Sequence, residues 1–251
     1  MKTKIVLQIR FNLILSLAGE TRKPSKEWVD ERVELFSAYT LPSIAANLGQ
    51  EFCLQIFVDH ESPASLIEIL KSKCKESEVS ADIVPVKDSF QKVLKTCHYS
   101  LSSGKSINLT YCRLDNDDMI SGNYFKFLIS ALDNAKDLRN FGIHFSTGLQ
   151  WIKNENILQL VNYPRSPFMC VNTCNDELNS AYCVGHEKAS TKMIMNSMAT
   201  SVPLWCQIIH EKNVGNSYWD NLSSAKRGGY IIEAIDCCDQ STIAGLLNVS
   251  L

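Results

Sequence analysis

The feature that most constrains the fold is the regular alternation of strand-like and helix-like segments in the first half of the chain. The strand-like runs are 4–9, 52–58, 81–86 and 107–114. The segments with helical spacing of apolar residues are 26–39, 63–73, 89–101 and 121–132. Strands interleaved with helices indicate βαβ units and a mainly parallel sheet. We therefore predict an α/β fold with a Rossmann-like, mainly parallel mixed sheet flanked by helices.

Capping residues mark the start of several predicted helices. Ser25 precedes the segment 26–39, and Asp88 precedes the segment 89–101. Such side chains accept hydrogen bonds from the first backbone N–H groups of a helix. Leu41-Pro42-Ser43 begins another short helix, which Gly49 ends, because proline is tolerated in the first turn and glycine is common after the last.

The pattern changes after about residue 140. Short β-like pieces lie at 141–145, 148–152, 157–161 and 205–209. An irregular stretch rich in Cys and Asn covers 166–183, and a helical segment is predicted at about 187–198. The chain shows no repeats and no clear linker. We predict a single domain over 1–251, with a first half at about 1–140 and a second half at about 141–251.

Composition excludes some classes of partner. The 251 residues carry a net charge of −2, so no basic field points to nucleic acid or to an anionic membrane. The ten cysteines include no CxxC pair, and the spacing of Cys170, Cys174 and Cys183 is unspecific for a metal site. A chain of this length with such cysteines is predicted to be reduced and cytoplasmic.

The first residues allow two interpretations. Lys2 and Lys4 precede an apolar stretch, and Ser16-Leu17-Ala18 resembles a cleavage site for a signal peptide. The run at 5–9 equally fits a buried first strand, and Arg10 interrupts the apolar stretch. A charged residue is costly in an inserted segment, so we favour the strand. No run reaches the length of a membrane span.

Two predicted strands end on an aspartate. Asp59 follows Phe57-Val58, and Asp115 follows Arg113-Leu114. In parallel sheets, ligands bind outside the carboxyl ends of the strands, so both carboxylates should lie at one edge. Asp59 is expected to contact a nucleobase or ribose, with a turn or cap as the alternative. Arg10 ends the first strand at the same edge, where it would pair with a diphosphate or form a structural ion pair.

The sequence Asp115-Asn116-Asp117-Asp118 places three carboxylates within four residues. Such a cluster is repulsive unless a cation neutralises it, and Mn²⁺ or Mg²⁺ prefers oxygen ligands shared with substrate phosphates. One carboxylate would contact ribose or sugar and the next would hold the metal. The alternative is that Asp117 or Asp118 caps the following helix. The EF-hand pattern is excluded because Met119 and Ile120 stand at positions where that loop needs other residues.

Further candidates lie in the second half of the chain. His210 ends a short apolar strand and would complete the metal shell or touch the phosphates, unless it is a structural histidine. Lys212 and Asn213 are expected phosphate contacts. A base that deprotonates an acceptor hydroxyl has four candidates, with a cap or solvated position as the alternative for each. These are Glu187, His186, Asp176 and Glu177.

These residues resemble a known family. The matching motifs of the first half are Gln8-Ile9-Arg10-Phe11-Asn12, Trp28 to Phe36, Thr40-Leu41-Pro42-Ser43, Phe57-Val58-Asp59 and Arg113-Leu114-Asp115-Asn116-Asp117-Asp118. Those of the second half are Gly148-Leu149, Gly185-His186 and Ile209-His210-Glu211-Lys212-Asn213. Together they resemble the rhamnosyltransferase family over roughly residues 4 to 217, and that family is similar to the wider GT-A glycosyltransferases. The Cys-rich stretch has no counterpart in the resemblance.

The resemblance implies a GT-A-like fold and a glycosyltransferase that uses a nucleotide-diphosphate sugar, Mn²⁺ or Mg²⁺, and a glycan or lipid-linked acceptor. By position, Asp59 would contact the nucleotide and Asp115 the ribose or sugar. Asp117 would hold the metal, with Asp118 beside it and His210 as a late metal or diphosphate ligand. Arg113 belongs with the donor-binding residues. The half at about 1–140 would bind the nucleotide sugar, and the half at about 141–251 would bind the acceptor. Rhamnose is implied only by the family label.

Two other function classes stay open from the sequence. A sugar-phosphate nucleotidyltransferase also suits paired aspartates and a metal, although Arg10-Phe11-Asn12-Leu13 is not the Gly-rich, basic phosphate loop that such enzymes often carry. A non-catalytic carbohydrate- or metal-binding module would need no nucleotide, and the strand-end Asp59 and Asp115 argue against it. A lipid-linked acceptor would bring the protein to a membrane surface without a spanning helix.

Overall fold

The computed structural model describes most of the chain. The described residues are 3–13, 15–17, 20–22, 24–102, 108–135, 138, 140–173, 178–183, 185–210, 228–235 and 239–251. Among the helices within these ranges, none has both the length and the apolar character that crossing a bilayer requires.

Strands are interspersed with helices up to Asn134, after which strands dominate. The strands of this first part are β1 (Lys4–Arg10), β2 (Leu15–Leu17), β3 (Glu20–Arg22), β4 (Phe52–Asp59), β5 (Ala81–Val86), β6 (Leu109–Asp115) and β7 (Met119–Ile120). The helices are α1 (Lys26–Leu35), α2 (Leu41–Ala45), α3 (Ala64–Glu76), α4 (Phe90–Ser102), α5 (Tyr124–Asn134) and the C-terminal α6 (Gln240–Leu247). The remaining strands are β8 (Phe141–Phe145), β9 (Thr147–Ile152), β10 (Ile157–Asn162), β11 (Cys170–Thr173), β12 (Ile194–Met198), β13 (Trp205–Ile209) and β14 (Tyr230–Ile235).

The larger of the two main sheets is mixed, as predicted. Its seven strands run in the order β12-β8-β11-β6-β1-β4-β5. The β6, β1, β4 and β5 strands are mutually parallel, and β11 is antiparallel to both β6 and β8. The expected α/β fold with a mainly parallel mixed sheet flanked by helices is therefore confirmed.

The second main sheet has five strands in the order β14-β10-β9-β13-β7. Its short strand β7 follows β6 of the first sheet after only three residues, Asn116, Asp117 and Asp118. The aspartate cluster is thus the connection that carries the chain from one sheet to the other. This position brings its side chains next to both sheets.

The helix predicted at 26–39 and the short helix predicted from Leu41 form one continuous helical run from Lys26 to Ala45. Ser25 caps α1 as predicted, because its side chain accepts a hydrogen bond from Trp28 N at 3.2 Å. A single turn of π-helix at Phe36–Thr40 then joins α1 to α2. Such turns widen a helix by one residue and occur frequently at functional sites.

Several predicted boundaries are wrong. The helix predicted at 187–198 is a 3-10 helix at His186–Thr191 followed by the strand β12. Pairing with β8 overrides the local helical spacing there, since Ile194–Met198 lies parallel to that strand. The start of α4 is marked by Ser89, whose hydroxyl accepts a hydrogen bond from Lys92 N, rather than by Asp88.

The cysteines within the described ranges are free thiols. Two of them face each other across β6 and β11, with Cys112 Sγ 3.1 Å from Cys170 Sγ. Burial raises the pKa of the Cys112 thiol well above its ordinary value, which disfavours the reactive thiolate.

Gly148 allows close packing between β9 and the indole of Trp205. That indole also stacks on Phe168, with ring centroids 4.8 Å apart, and its Nε1 donates a hydrogen bond to Phe145 O at 2.7 Å. A Cβ atom at position 148 would overlap the Trp205 ring system. The Trp205 ring is thus held by Phe168 and by its hydrogen bond to Phe145 O, so it has little room to move away from an added methyl group at position 148.

We expect Gly148→Ala to lower the free energy of unfolding by about 1–3 kcal/mol, the usual cost of overpacking a core. Urea denaturation measures this difference. Gly49→Ala is the matched control, because a Cβ there meets nothing within 4 Å, and its effect should stay within about 0.5 kcal/mol. Equal stability of the two variants would contradict this account of the packing.

Candidate functional site

Three charged residues lie at the carboxyl edge of adjacent parallel strands. Arg10 ends β1, Asp59 ends β4 and Asp115 ends β6. In the register of β1 and β6, Arg10 is the direct neighbour of Asp115, while on the other side it is aligned with Phe57, two residues before Asp59. The structure therefore brings the two strand-end aspartates and the arginine to one edge, as the sequence predicts.

Asp59 is held in place by the turn that follows it. Its Oδ1 accepts a hydrogen bond from Glu61 N at 2.8 Å, and its own N–H donates to Asn12 Oδ1 at 3.0 Å. Asn12 Nδ2 in turn donates to Ser62 Oγ at 3.0 Å. Asp59 thus has both the local turn role that the sequence allowed and a fixed position at the sheet edge.

A cavity of ≈ 290 Å³ opens beside Asp59 at the ends of β1, β4 and β5. Arg10, Asp59, Lys87 and Phe90 are among its lining residues. This volume is close to the lower end of the range for small-molecule pockets. A phenyl ring together with basic and acidic groups can contact the base, the phosphates and the hydroxyl groups of a nucleotide.

Tyr182 links the two arginines of the edge. The guanidinium carbon of Arg10 lies 4.5 Å from the centre of its ring, and that of Arg113 lies 5.0 Å from it. The Tyr182 hydroxyl lies 3.1 Å from Gln8 O and 3.2 Å from Leu114 O. Burial, and then the charge of Asp115, raises the pKa of Tyr182, so the phenol stays neutral and its O–H is shared as a hydrogen-bond donor between these two carbonyl oxygens.

Arg113 and Asp115 form a pair on β6. Arg113 Nη2 donates to Asp115 Oδ1 at 3.3 Å, and the Asp115 side chain keeps 29% of its surface exposed. Arg113 is largely buried, whereas the Asp115 carboxylate opens towards solvent. Asp115 is therefore the member of the aspartate cluster best placed to contact a ligand directly.

Asp117 lies deeper, between α1 and the end of β13. It forms an ion pair with Arg32, and its Oδ2 lies 3.0 Å from His210 Nε2. Arg32 also stacks over Trp28, with its guanidinium carbon 4.7 Å from the ring centre. On the other side of the imidazole, His210 Nδ1 lies 3.9 Å from Glu31 Oε1. The structure thus brings Asp117 and His210 together, as predicted, and adds Arg32.

Asp118 faces β13 rather than a helix. It is fully buried, and its Oδ1 accepts a hydrogen bond from Ile208 N at 2.9 Å. Burial, followed by the charges of Asp117 and Asp115, raises the pKa of Asp118 well above its ordinary value. Since α5 begins only at Tyr124 and the strand β7 intervenes, the capping alternative finds no support at Asp118.

No three His, Cys, Asp or Glu side chains in the described part of the chain are arranged to hold a metal ion. The three predicted metal ligands, Asp117, Asp118 and His210, have the arrangement expected of a metal site only in part. The side chains of Asp117 and His210 lie next to each other, and the positively charged guanidinium of Arg32 is already paired with the Asp117 carboxylate. Asp118 is directed at a backbone N–H. The metal role of all three stays a prediction.

Several predicted site residues lie outside the described ranges. These are Lys212, Asn213, Asp176 and Glu177. The backbone of His186 and Glu187 begins the 3-10 helix after β11, but their side chains are outside what the structure describes. The roles assigned to these six residues stay predictions.

Two important residues of the site are absent from the predictions. Arg32 carries a usable signal, because it lies four residues after Trp28 and four before Phe36, on the same face of the helix. A charged residue on such a face needs a buried partner. Tyr182 lies in the irregular Cys-rich stretch, where no spacing distinguishes it from its neighbours.

Comparison with known proteins adds a family and a set of similar folds. The model of the family described as "Putative rhamnosyl transferase" matches residues 20–219. A search of curated proteins gives no match. The crystal structure of S. aureus TarS 1-349 is similar, with 14% sequence identity and a TM-score of 0.46. The match covers 82% of this chain and 60% of the TarS chain, so this chain spans less than two thirds of the length of that relative. A putative nucleotide-diphospho-sugar transferase from Desulfovibrio desulfuricans G20 is similar at 8% identity and a TM-score of 0.42, over 78% of this chain and 79% of the other.

Proposed function

The chain belongs to the family of putative rhamnosyl transferases, and we propose that it transfers a sugar from a nucleotide-diphosphate donor to a hydroxyl group of an acceptor. The observation that carries the proposal is the edge formed by Arg10, Asp59 and Asp115 at the ends of three adjacent parallel strands. Ligands of such sheets bind at the carboxyl ends of the strands.

Each of these residues has a proposed role towards the donor. The nucleoside occupies the cavity beside Asp59, whose carboxylate accepts hydrogen bonds from the base or ribose. Arg10 and Arg113, both stacked on Tyr182, attract the diphosphate. The partly exposed Asp115 carboxylate accepts hydrogen bonds from the hydroxyl groups of the ribose or sugar. Lys212 and Asn213 are proposed as further phosphate contacts.

The proposed reaction is direct displacement at the anomeric carbon. The acceptor oxygen forms a bond to this carbon while the bond to the diphosphate oxygen breaks, and the bonding electrons leave with the diphosphate. The hydroxyl proton passes to a base, for which Glu187 and His186 are the proposed candidates. The arginines stabilise the negative charge that develops on the leaving group, because fixed cations in a partly dry site act strongly on it.

We also propose that Mn²⁺ or Mg²⁺ binds at Asp117 and His210, whose Oδ2 and Nε2 atoms are 3.0 Å apart, with Asp118 as a further oxygen ligand. When bound, the cation would neutralise the leaving diphosphate as a Lewis acid. The family description supports rhamnose as the donor sugar. A glycan or lipid-linked acceptor, a cytoplasmic location and peripheral contact with a membrane complete the proposal.

The decisive experiment is a thermal-shift screen of the purified protein with UDP, GDP, dTDP and CDP, each with and without Mn²⁺. Binding to the native state raises the apparent melting temperature, so we expect one nucleotide to stabilise the protein and Mn²⁺ to increase that effect. The nucleotide identified in this way then selects the nucleotide sugars to be tested for transfer.

A pair of variants locates the binding site. Asp59→Asn keeps an oxygen for the Glu61 N–H but removes the charge, and it should weaken the stabilisation by the nucleotide. Asp82→Asn is the control, since Asp82 is exposed at the opposite end of β5. The proposal fails if no nucleotide stabilises the protein at millimolar concentration. Release of pyrophosphate from a nucleoside triphosphate and a sugar phosphate would instead indicate a nucleotidyltransferase.

A further inference from the structure

The segment 178–183 is fixed against the ends of β1 and β6. Ser180 is fully buried, and its hydroxyl donates a hydrogen bond to Gln8 Oε1 at 2.7 Å. The same hydroxyl accepts a hydrogen bond from Tyr182 N at 2.9 Å. The Tyr182 hydroxyl is shared between Gln8 O on β1 and Leu114 O on β6. Both the backbone and the tip of Tyr182 are therefore tied to the sheet, so the protein itself sets the position of the ring.

This fixed ring lies against two like charges. The guanidinium carbons of Arg10 and Arg113 are 4.5 Å and 5.0 Å from its centre. Two guanidinium groups beside one ring repel each other, and the repulsion is stronger in a partly buried place than in open water. The negative face of an aromatic ring offsets part of this repulsion through cation–π contacts. Tyr182 can therefore hold both arginines at one place on the sheet edge.

The charges around the ring do not balance. Asp115 pairs with Arg113, at 3.3 Å between Oδ1 and Nη2. Within the described ranges, Arg10 forms no ion pair with a carboxylate, and its Nε is buried without a hydrogen-bond partner. A buried donor without a partner is unfavourable, and so is a partly buried charge without a counter-ion. An anionic ligand at the sheet edge would satisfy both.

The cavity proposed for the nucleoside adjoins this positive charge. Arg10 is among the residues that line the cavity, and so is Phe90. The Phe90 ring contacts the Tyr182 ring, with centroids 5.8 Å apart. An anion bound by Arg10 and Arg113 would therefore lie next to a nucleoside in the cavity, where the phosphates of a nucleotide have to be.

We propose that Tyr182 is a positioning residue that holds the guanidinium groups of Arg10 and Arg113 together as one binding site for the diphosphate of the donor. Tyr182 acts on the diphosphate through the two arginines. The inference rests on the proposed function, because the anion is the diphosphate of the proposed donor. Side chains that are held in their binding positions lose little freedom when the ligand arrives, and this raises the affinity.

The test measures the affinity of the purified protein for inorganic pyrophosphate by isothermal titration calorimetry in the presence of EDTA. Pyrophosphate has the charge of a diphosphate but no nucleoside, so it reports on the arginine site alone. We expect about tenfold weaker binding to Tyr182→Leu, because both cation–π contacts are lost. Tyr182→Phe keeps the ring but loses the hydroxyl that anchors it, and should bind about threefold more weakly. Tyr99→Leu is the control, since Tyr99 is 68% exposed on α4, and it should bind like the wild type.

A double-mutant cycle separates positioning from a general effect on the fold. Arg10→Gln should itself weaken the binding of pyrophosphate. In that background Tyr182→Leu should weaken it only about threefold further, because one of the two guanidinium groups on which the ring acts is missing. A purely structural role of Tyr182 would give the same loss in both backgrounds. That result overturns the inference, as does wild-type affinity in Tyr182→Leu or an absence of pyrophosphate binding by the wild type at millimolar concentration.

A Tyr182→Leu variant that shows no cooperative unfolding transition leaves the decision to Tyr182→Phe. Wild-type affinity of the Phe variant would then show that the residue serves the fold, and the inference fails. The nucleoside diphosphate selected by thermal shift distinguishes this inference from the proposed function. Equal affinity of that nucleotide for the wild type and Tyr182→Leu removes the role of Tyr182 and keeps the function. Pyrophosphate binding that depends on Tyr182, without binding of any nucleotide, supports the arginine site and removes the proposed donor.

Discussion

Replacing Asp115 by alanine is expected to lower kcat/KM for sugar transfer about 10- to 150-fold while the protein stays folded. Hydrogen bonds to a charged group contribute about 1.5–3 kcal/mol, and this range corresponds to the expected loss of rate. The fold should tolerate the change because 29% of the Asp115 side chain is exposed and the Arg113 guanidinium keeps its contact with the Tyr182 ring.

The assay is the release of nucleoside diphosphate from the nucleotide sugar that the binding screen selects. Asp133→Ala is the matched control, since Asp133 is an exposed aspartate on α5, on an element that does not contribute to the sheet edge. It should retain wild-type activity. Full activity of Asp115→Ala would remove this residue from the donor site, and a lost unfolding transition would show that its role is structural.

The second large effect concerns stability in acid and comes from His144. This residue is buried on β8, and its Nδ1 lies 2.9 Å from Ser166 O. Burial lowers the pKa of His144 from 6.5 to about 4. The unfolded chain therefore binds a proton between these two pH values while the folded protein does not, so the contribution to stability is present above pH 6.5 and is lost as the pH falls towards 4.

The difference between the two pKa values corresponds to about 3 kcal/mol of unfolding free energy. Urea denaturation at pH 7.5 and at pH 4.5 should show most of this loss in the wild type. His144→Asn keeps a donor for Ser166 O but does not titrate, so its stability should fall less over the same interval. His60→Asn, which changes a half-exposed histidine, should behave like the wild type. Parallel losses in His144→Asn and the wild type would exclude His144 as the cause.

The first half of the fold could be predicted because its signals are local. Each buried strand there is a short apolar run, and Ser25 and Pro63 stand directly at the helix starts. The edge with Arg10, Asp59 and Asp115 follows from parallel pairing alone. By contrast, the segment 194–198 has helical spacing but is a strand, since its pairing with β8 is a contact between residues distant in sequence.

The candidate site could be predicted only where charged residues stand at the ends of predicted strands. The aspartate cluster was recognised from its charges, yet its three carboxylates differ in surroundings: Asp115 is partly exposed, Asp117 is in a buried ion pair and Asp118 is bound to β13. The partners that distinguish Asp117 and Asp118 lie 85 to 93 positions away in the chain. No local pattern contains them.

The connection between the two sheets also limits which segments of related proteins can be combined into a folded hybrid. The loop that follows β6 is tied to β13 through Asp118, and the next residues are tied to α6, because Ser121 Oγ and Gly122 N both donate to Leu247 O at 2.9 Å. Exchange of segments between relatives at residue 140 would separate partners of these bonds. Crossovers that keep the loop, β13 and the C-terminal helix from one parent should therefore yield folded hybrids far more often.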